Sequence, residues 1–118
     1  MFSFQRIYDF VPQKNKPAVF VDRLYPRGIH KELFQQCLWL KSVTPSNELR
    51  KWFHQDPDGN FRLFKIQYRQ ELQGNEQRQG LAELKQLERQ QGSVLLLSAV
   101  KNPEKSHIPV LLEILNQV

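Results

Sequence analysis

The chain has a single cysteine, Cys37, and a single methionine among its 118 residues. One cysteine excludes an internal disulfide and any multi-cysteine metal site, and it suits a reducing compartment such as the cytoplasm. The three histidines, His30, His54 and His107, lack the spacing of helical metal ligands, so no metal is expected. No apolar run approaches the roughly 20 residues of a membrane span. The opening residues, Met1-Phe2-Ser3-Phe4-Gln5-Arg6, lack the basic and apolar regions of a secretion signal. The five glycines form neither a phosphate-binding loop nor a dinucleotide fingerprint, and no cofactor is expected. No internal repeat or low-complexity tract occurs.

What remains is an ordinary globular composition, 40% hydrophobic and 25% charged, of a length suited to one domain over residues 1–118. The formal charge is +5 and uneven. Residues 1–31 carry six basic against two acidic side chains, whereas residues 57–118 carry eight against seven. A basic balance steers anions or nucleic acid toward a surface. The basic residues form no dense run of the kind that marks a nucleic-acid tail.

Residues 4–10 alternate weakly and contain aromatic and β-branched side chains, which predicts a first strand. A proline-bracketed polar loop follows, over residues 11–17. Residues 18–24 are nearly continuous in apolar side chains, as in a strand buried on both faces. Residues 29–44 are ambiguous, and Leu38-Trp39-Leu40 suits either a strand or a helix end. Thr44-Pro45-Ser46 is a helix start, with Leu49, Trp52 and Phe53 facing inward. Asp56-Pro57 starts a second helix, in which Phe61, Phe64, Tyr68 and Leu72 share one face until Gly74 ends it. Residues 76–91 form a surface helix closed by Gly92. Residues 94–97 are the most hydrophobic run and read as a central strand. After a polar loop, Ser106 caps a last helix that buries Ile108, Leu111, Leu112, Leu115 and Val118. This alternation predicts an α/β fold, a small and largely parallel sheet flanked by helices.

In such sheets, ligands bind beyond the carboxyl ends of the strands. Two loops fall at such ends. The first is Asp22-Arg23-Leu24-Tyr25-Pro26-Arg27-Gly28, which crowds an acid, two arginines, an aromatic, a proline and a glycine into one turn. The arginines offer planar forks suited to phosphate or carboxylate, and glycine permits a positive φ. The second loop runs from Lys101 to His107 into the last helix, whose N-terminal amides favour an anion. Asp22 suits the orientation of an arginine or acid–base work. The competing reading pairs each arginine with Asp22, Asp56 or a helix C-terminus, and gives His107 a carbonyl partner. Cys37 reads as a core thiol, and His30 and His54 as surface residues. Trp39, Trp52, Phe53, Phe61, Phe64 and Tyr68 read mostly as core.

The segment Val21 to Gly28 resembles the short, YeaO-like branch of a bacterial domain-of-unknown-function family. Trp39-Leu40-Lys41, Pro45-Ser46, Glu48 to His54, Asp56-Pro57, Phe64, Tyr68, Glu71-Leu72, Leu96-Leu97, Ala99, Lys101 and His107 extend the likeness along nearly the whole chain. The resemblance implies an α/β domain with a small parallel sheet and supplies no activity. The family pattern has Trp at Tyr25, and Tyr, Asp and Asn at Ser98, Asn102 and Ser106. A longer branch carries cysteines near Ser98 and Ser106, so their absence here argues against thiol chemistry. Arg23, Arg27, Arg50 and His107 match the pattern, which favours anion binding.

The expectation is a cytoplasmic bacterial protein with a basic cleft for a phosphate- or carboxylate-bearing small molecule. Arg23, Arg27, Arg50, Lys101 and Ser106 would bind it. Asp22 or His107 would supply acid–base catalysis if the protein is a hydrolase or transferase. The alternative is a non-catalytic nucleic-acid or protein-interaction module on the same basic face. No membrane partner is expected, and oligomeric state is left open.

Overall fold

Residues 94–97 form the centre of the molecule, as their unbroken hydrophobicity predicts. In the computed structural model, which describes residues 1–117, strand β4 (Val94–Ser98) pairs in parallel with β1 (Phe2–Arg6) on one side and β2 (Ala18–Phe20) on the other. A two-residue strand, β3 (Leu38–Trp39), continues the sheet beyond β2, again in parallel. The order is therefore β1-β4-β2-β3, an α/β fold with an all-parallel sheet. Val118, expected in the last helix, lies outside the described residues.

Alternation within the strands divides the core in two. Val94 and Leu96 of β4, with Val19 and Val21, face one side and join Phe53, Phe64, Tyr68, Leu84 and Leu111. Those residues come from α2 (Asn47–Gln55), α3 (Pro57–Glu71), α4 (Asn75–Gln91) and α5 (Ile108–Leu115). Leu97, Ala18 and Phe20 face the other side, where Ile7, Phe10, Phe34 and Trp39 cover them. That layer is thin: it holds the single-turn helix α1 (Lys31–Phe34) and a 3-10 turn at Ile7–Asp9.

The expected helix starts form as their chemistry requires. Ser46 Oγ accepts the Leu49 N–H at 3.2 Å. Asp56 accepts the Gly59 N–H at 3.2 Å, and Pro57 occupies the first turn of α3. Gly80 within α4 has a packing cause. A Cβ there would stand 2.3 Å from Ser42 Oγ and 2.8 Å from the Val43 side chain, so only glycine lets α4 approach the 3-10 turn at Lys41–Val43.

Three boundaries differ from the sequence reading. Strand β1 starts at Phe2, and residues 7–9 leave it as a 3-10 turn that tucks Ile7 and Phe10 under the thin side. Strand β2 stops at Phe20. Val21 N–H still bonds Leu97 at 2.9 Å, but the next residue turns its side chain, rather than its backbone, toward β4. Residues 29–44 contain both a helical turn and a strand. Among the described residues no helix is long and apolar enough to cross a membrane.

Candidate functional site

Beyond the carboxyl ends of β2 and β4 the chain leaves in opposite directions. After β2 it crosses to α1 on the thin side, and after β4 it crosses to α5 on the thick side. This divergence between adjacent parallel strands opens a crevice at their ends. A cleft of about 520 Å³ lies there, and its lining includes Asp22, Arg23, Arg27, Arg50, Lys101, Ser106 and His107. The seven residues singled out from sequence therefore share one cavity.

Its floor is a closed hydrogen-bond knot. Ser98, the last residue of β4, donates its hydroxyl to Asp22 at 2.6 Å, and the Ala99 N–H donates to the other carboxylate oxygen at 2.8 Å. His107 Nε2 lies 2.7 Å from the Val21 carbonyl and 3.3 Å from Asp22. A carbonyl only accepts, so Nε2 carries the hydrogen. The Trp39 indole holds the Asp22 backbone by donating to its carbonyl at 2.7 Å. Burial alone would raise the Asp22 carboxyl. The His107 hydrogen bond and charge, with the Ser98 and Ala99 donors, outweigh it and hold Asp22 below its ordinary value.

The rim is cationic. Arg23 donates Nε to the Pro45 carbonyl at 3.0 Å, which ties it to the start of α2 and leaves its terminal nitrogens for the cleft. Arg50 sits one turn into α2. Its Nε is fully buried with no hydrogen-bond partner. The start of that helix is fixed by Glu71, which accepts both the Ser46 N–H at 2.9 Å and its hydroxyl at 2.6 Å. Arg27 is exposed, and its carbonyl accepts the Tyr8 hydroxyl at 3.1 Å. Gly28 follows with φ +78°, a conformation that a side chain resists, and so reverses the chain beside the cleft. Among the described residues none of Arg23, Arg27, Arg50 or Lys101 has a carboxylate within 4.0 Å; the ion pairs lie elsewhere. The alternative pairings fail because Asp22 is taken by the floor and Asp56 caps α3. Lys105, also on the wall, pairs with Asp58.

Two expectations are modified. Ser106 donates its hydroxyl to the Pro103 carbonyl at 2.6 Å and accepts the Ile108 N–H at 3.1 Å. With Pro109 next, the start of α5 has few amides left for an anion, and the positive potential comes from side chains. His54 lines the cleft although it reads as a plain surface residue, and Tyr8, expected inside the first strand, joins it from the 3-10 turn that follows β1. Cys37 lies on the opposite core, donates to the Phe34 carbonyl at 3.2 Å, and is pushed up to about 11 by burial. Among the described residues no three His, Cys, Asp or Glu side chains gather as a metal site requires.

The family described as the inactive DUF488-N3 subclade matches residues 1–118. The chain is 40% identical over 107 residues to the uncharacterized protein YeaO of Escherichia coli K12, covering 91% of this chain and 90% of that one. It is 35% identical over 111 residues to uncharacterized proteins of Mycobacterium bovis and Mycobacterium tuberculosis, covering 94% of this chain and 90% of theirs. No solved structure matches it.

Proposed function

The chain belongs to this inactive DUF488-N3 subclade, and from that premise we propose that its cleft binds a small phosphate- or carboxylate-bearing ligand without turning it over. One observation carries the reading. Three guanidinium groups line a single cleft with no carboxylate paired to any of them among the described residues, while both oxygens of the floor carboxylate, Asp22, already accept hydrogen bonds. Unpaired arginines of this kind suit the bidentate binding of an oxyanion. Asp22 and His107 act here as positioning residues, because their polar atoms join β2, β4 and α5 to one another. The hydroxyls of Ser98 and Ser106 donate within the protein, and the thiol lies on the other core. That arrangement supports binding rather than nucleophilic turnover. A bacterial cytoplasm, reducing and rich in phosphorylated metabolites, is the setting proposed.

Thermal unfolding in inorganic phosphate or citrate, at constant ionic strength, tests this. The wild type should gain stability saturably, by roughly 2.7 kcal/mol at a hundredfold excess over Kd. Arg27→Ala should abolish the gain while its ligand-free midpoint moves little, since the Arg27 guanidinium has no carboxylate partner among the described residues. A wild type that shows no saturable gain with either anion rejects the reading.

A further inference from the structure

The cleft wall also carries exposed aromatic rings beside its cations, and we propose that the anion it takes is the phosphate of a nucleoside phosphate whose base stacks on Tyr25. This rests on the anion-binding reading above and adds the ligand class. Tyr8, Leu24, Tyr25 and Pro26 line the same cleft as Arg23 and Arg27. Three apolar residues thus lie between two arginines along one turn. Tyr25 is 41% exposed and Tyr8 45%, yet neither ring is loose. Tyr25 donates its hydroxyl to the Ile29 carbonyl at 2.7 Å, and Tyr8 donates to the Arg27 carbonyl at 3.1 Å. Both rings are therefore pinned to the turn that presents Arg27.

The two rings differ in what already covers them. The Arg6 guanidinium lies 5.0 Å over the Tyr8 ring, and its Nε is tied to the Val100 carbonyl at 2.9 Å. Tyr8 is a wall with its π face in use. Tyr25 is backed by Phe34 at 4.7 Å and by the edge of Trp39 at 6.2 Å. Its support is aromatic, and it is both exposed and a lining residue of the cleft. A ring held in this way loses little entropy when a flat partner stacks on it. An inorganic anion would leave this surface bare. A nucleoside phosphate satisfies both halves: the phosphate takes the guanidinium forks and the base covers the tyrosine. The cleft volume of about 520 Å³ falls within the roughly 300–1,000 Å³ of small-molecule sites.

Calorimetric titration of the wild type with adenosine 5′-monophosphate, ribose 5-phosphate and inorganic phosphate tests this without any mutation. The adenylate should bind about tenfold more tightly than ribose 5-phosphate, as one base–aromatic stack provides. Tyr25→Ala should remove that difference and leave phosphate binding unchanged, whereas Tyr25→Trp should keep it. Equal affinities for the adenylate and ribose 5-phosphate overturn the stacking inference and leave the anion cleft standing. No saturable binding of any of the three overturns both. A short single-stranded oligonucleotide that binds more tightly than the adenylate, and weakens steeply with salt, would make the cleft a strand-binding surface and overturn the small-ligand assignment.

Discussion

At the floor of the cleft, Asp22 accepts from Ser98 and Ala99 and lies beside His107, so both of its carboxylate oxygens have partners within the protein. At the rim, a few side chains away, Arg23, Arg27, Arg50 and Lys101 have no carboxylate partner among the described residues, and one buried Arg50 nitrogen has no hydrogen bond. The same charge chemistry serves opposite ends in the two regions. A saturated knot at the strand ends fixes three elements against one another. An unsaturated rim adds little to the fold, since like charges held together repel and a buried unpaired donor is unfavourable. On the reading proposed above, a ligand supplies what the rim lacks.

The sharpest way to break this contrast is to remove the floor. Asp22→Ala leaves the Ser98 hydroxyl, the Ala99 amide and the His107 ring without an acceptor they now share. Urea unfolding should show a loss of about 3 kcal/mol, the scale of leaving the Ser98 and Ala99 donors unsatisfied at the strand ends. A loss under about 1 kcal/mol would mean that the floor is no tighter than the rim. The same knot sets a pH limb. A carboxyl held below its ordinary value of 3.8 stabilises the fold above that value, and the contribution is lost as pH falls through its folded value. Stability of the wild type should therefore fall below about pH 4, and Asp22→Asn should flatten that part of the curve.

The sequence makes legible whatever depends on neighbours along the chain. The starts of α2 and α3 follow from Ser46, Asp56 and Pro57, and β4 follows from its unbroken apolar run. It does not make legible what depends on distant partners. Strand β2 stops early because the Asp22 side chain replaces a backbone bond to β4, 77 residues away. Strand β3 exists only by pairing with β2, and its Leu38 is 59% exposed, which defeats a hydrophobic pattern. The seven site residues come together because β2 and β4 are neighbours in the order β1-β4-β2-β3. The strand-end rule finds the two loops without knowing that order. Tyr8 escapes, since patterning puts it inside a strand, and the orphaned Arg50 nitrogen has no sequence signal at all.

A milder test shifts the rim without touching its charges. Gly28 has φ +78° with open space around it, so an added Cβ meets no atom within 4 Å. Gly28→Ala should then destabilise through backbone strain alone, by roughly 1–2 kcal/mol. The turn that carries Arg27 should move with it, and phosphate binding should weaken along with the unfolding midpoint. If the midpoint falls while binding is intact, the turn supports the fold and not the rim.

The smallest effect is the most telling, because its sign is unusual. Most substitutions of a half-buried side chain destabilise a protein. Arg50→Met keeps an aliphatic stem at this position of α2 and removes a buried donor with no partner, together with one of the positive charges at the rim. Ligand-free stability should therefore rise, by about 0.5–1 kcal/mol in urea unfolding, since an unsatisfied buried donor ordinarily costs that much or more. The same variant should lose part of the stabilisation that phosphate gives the wild type. A gain in the empty protein coupled to a loss in the liganded one separates a binding rim from a structural one. If Arg50→Met instead destabilises the empty protein, the arginine is held by the fold itself, and the distinction between rim and floor fails at that residue.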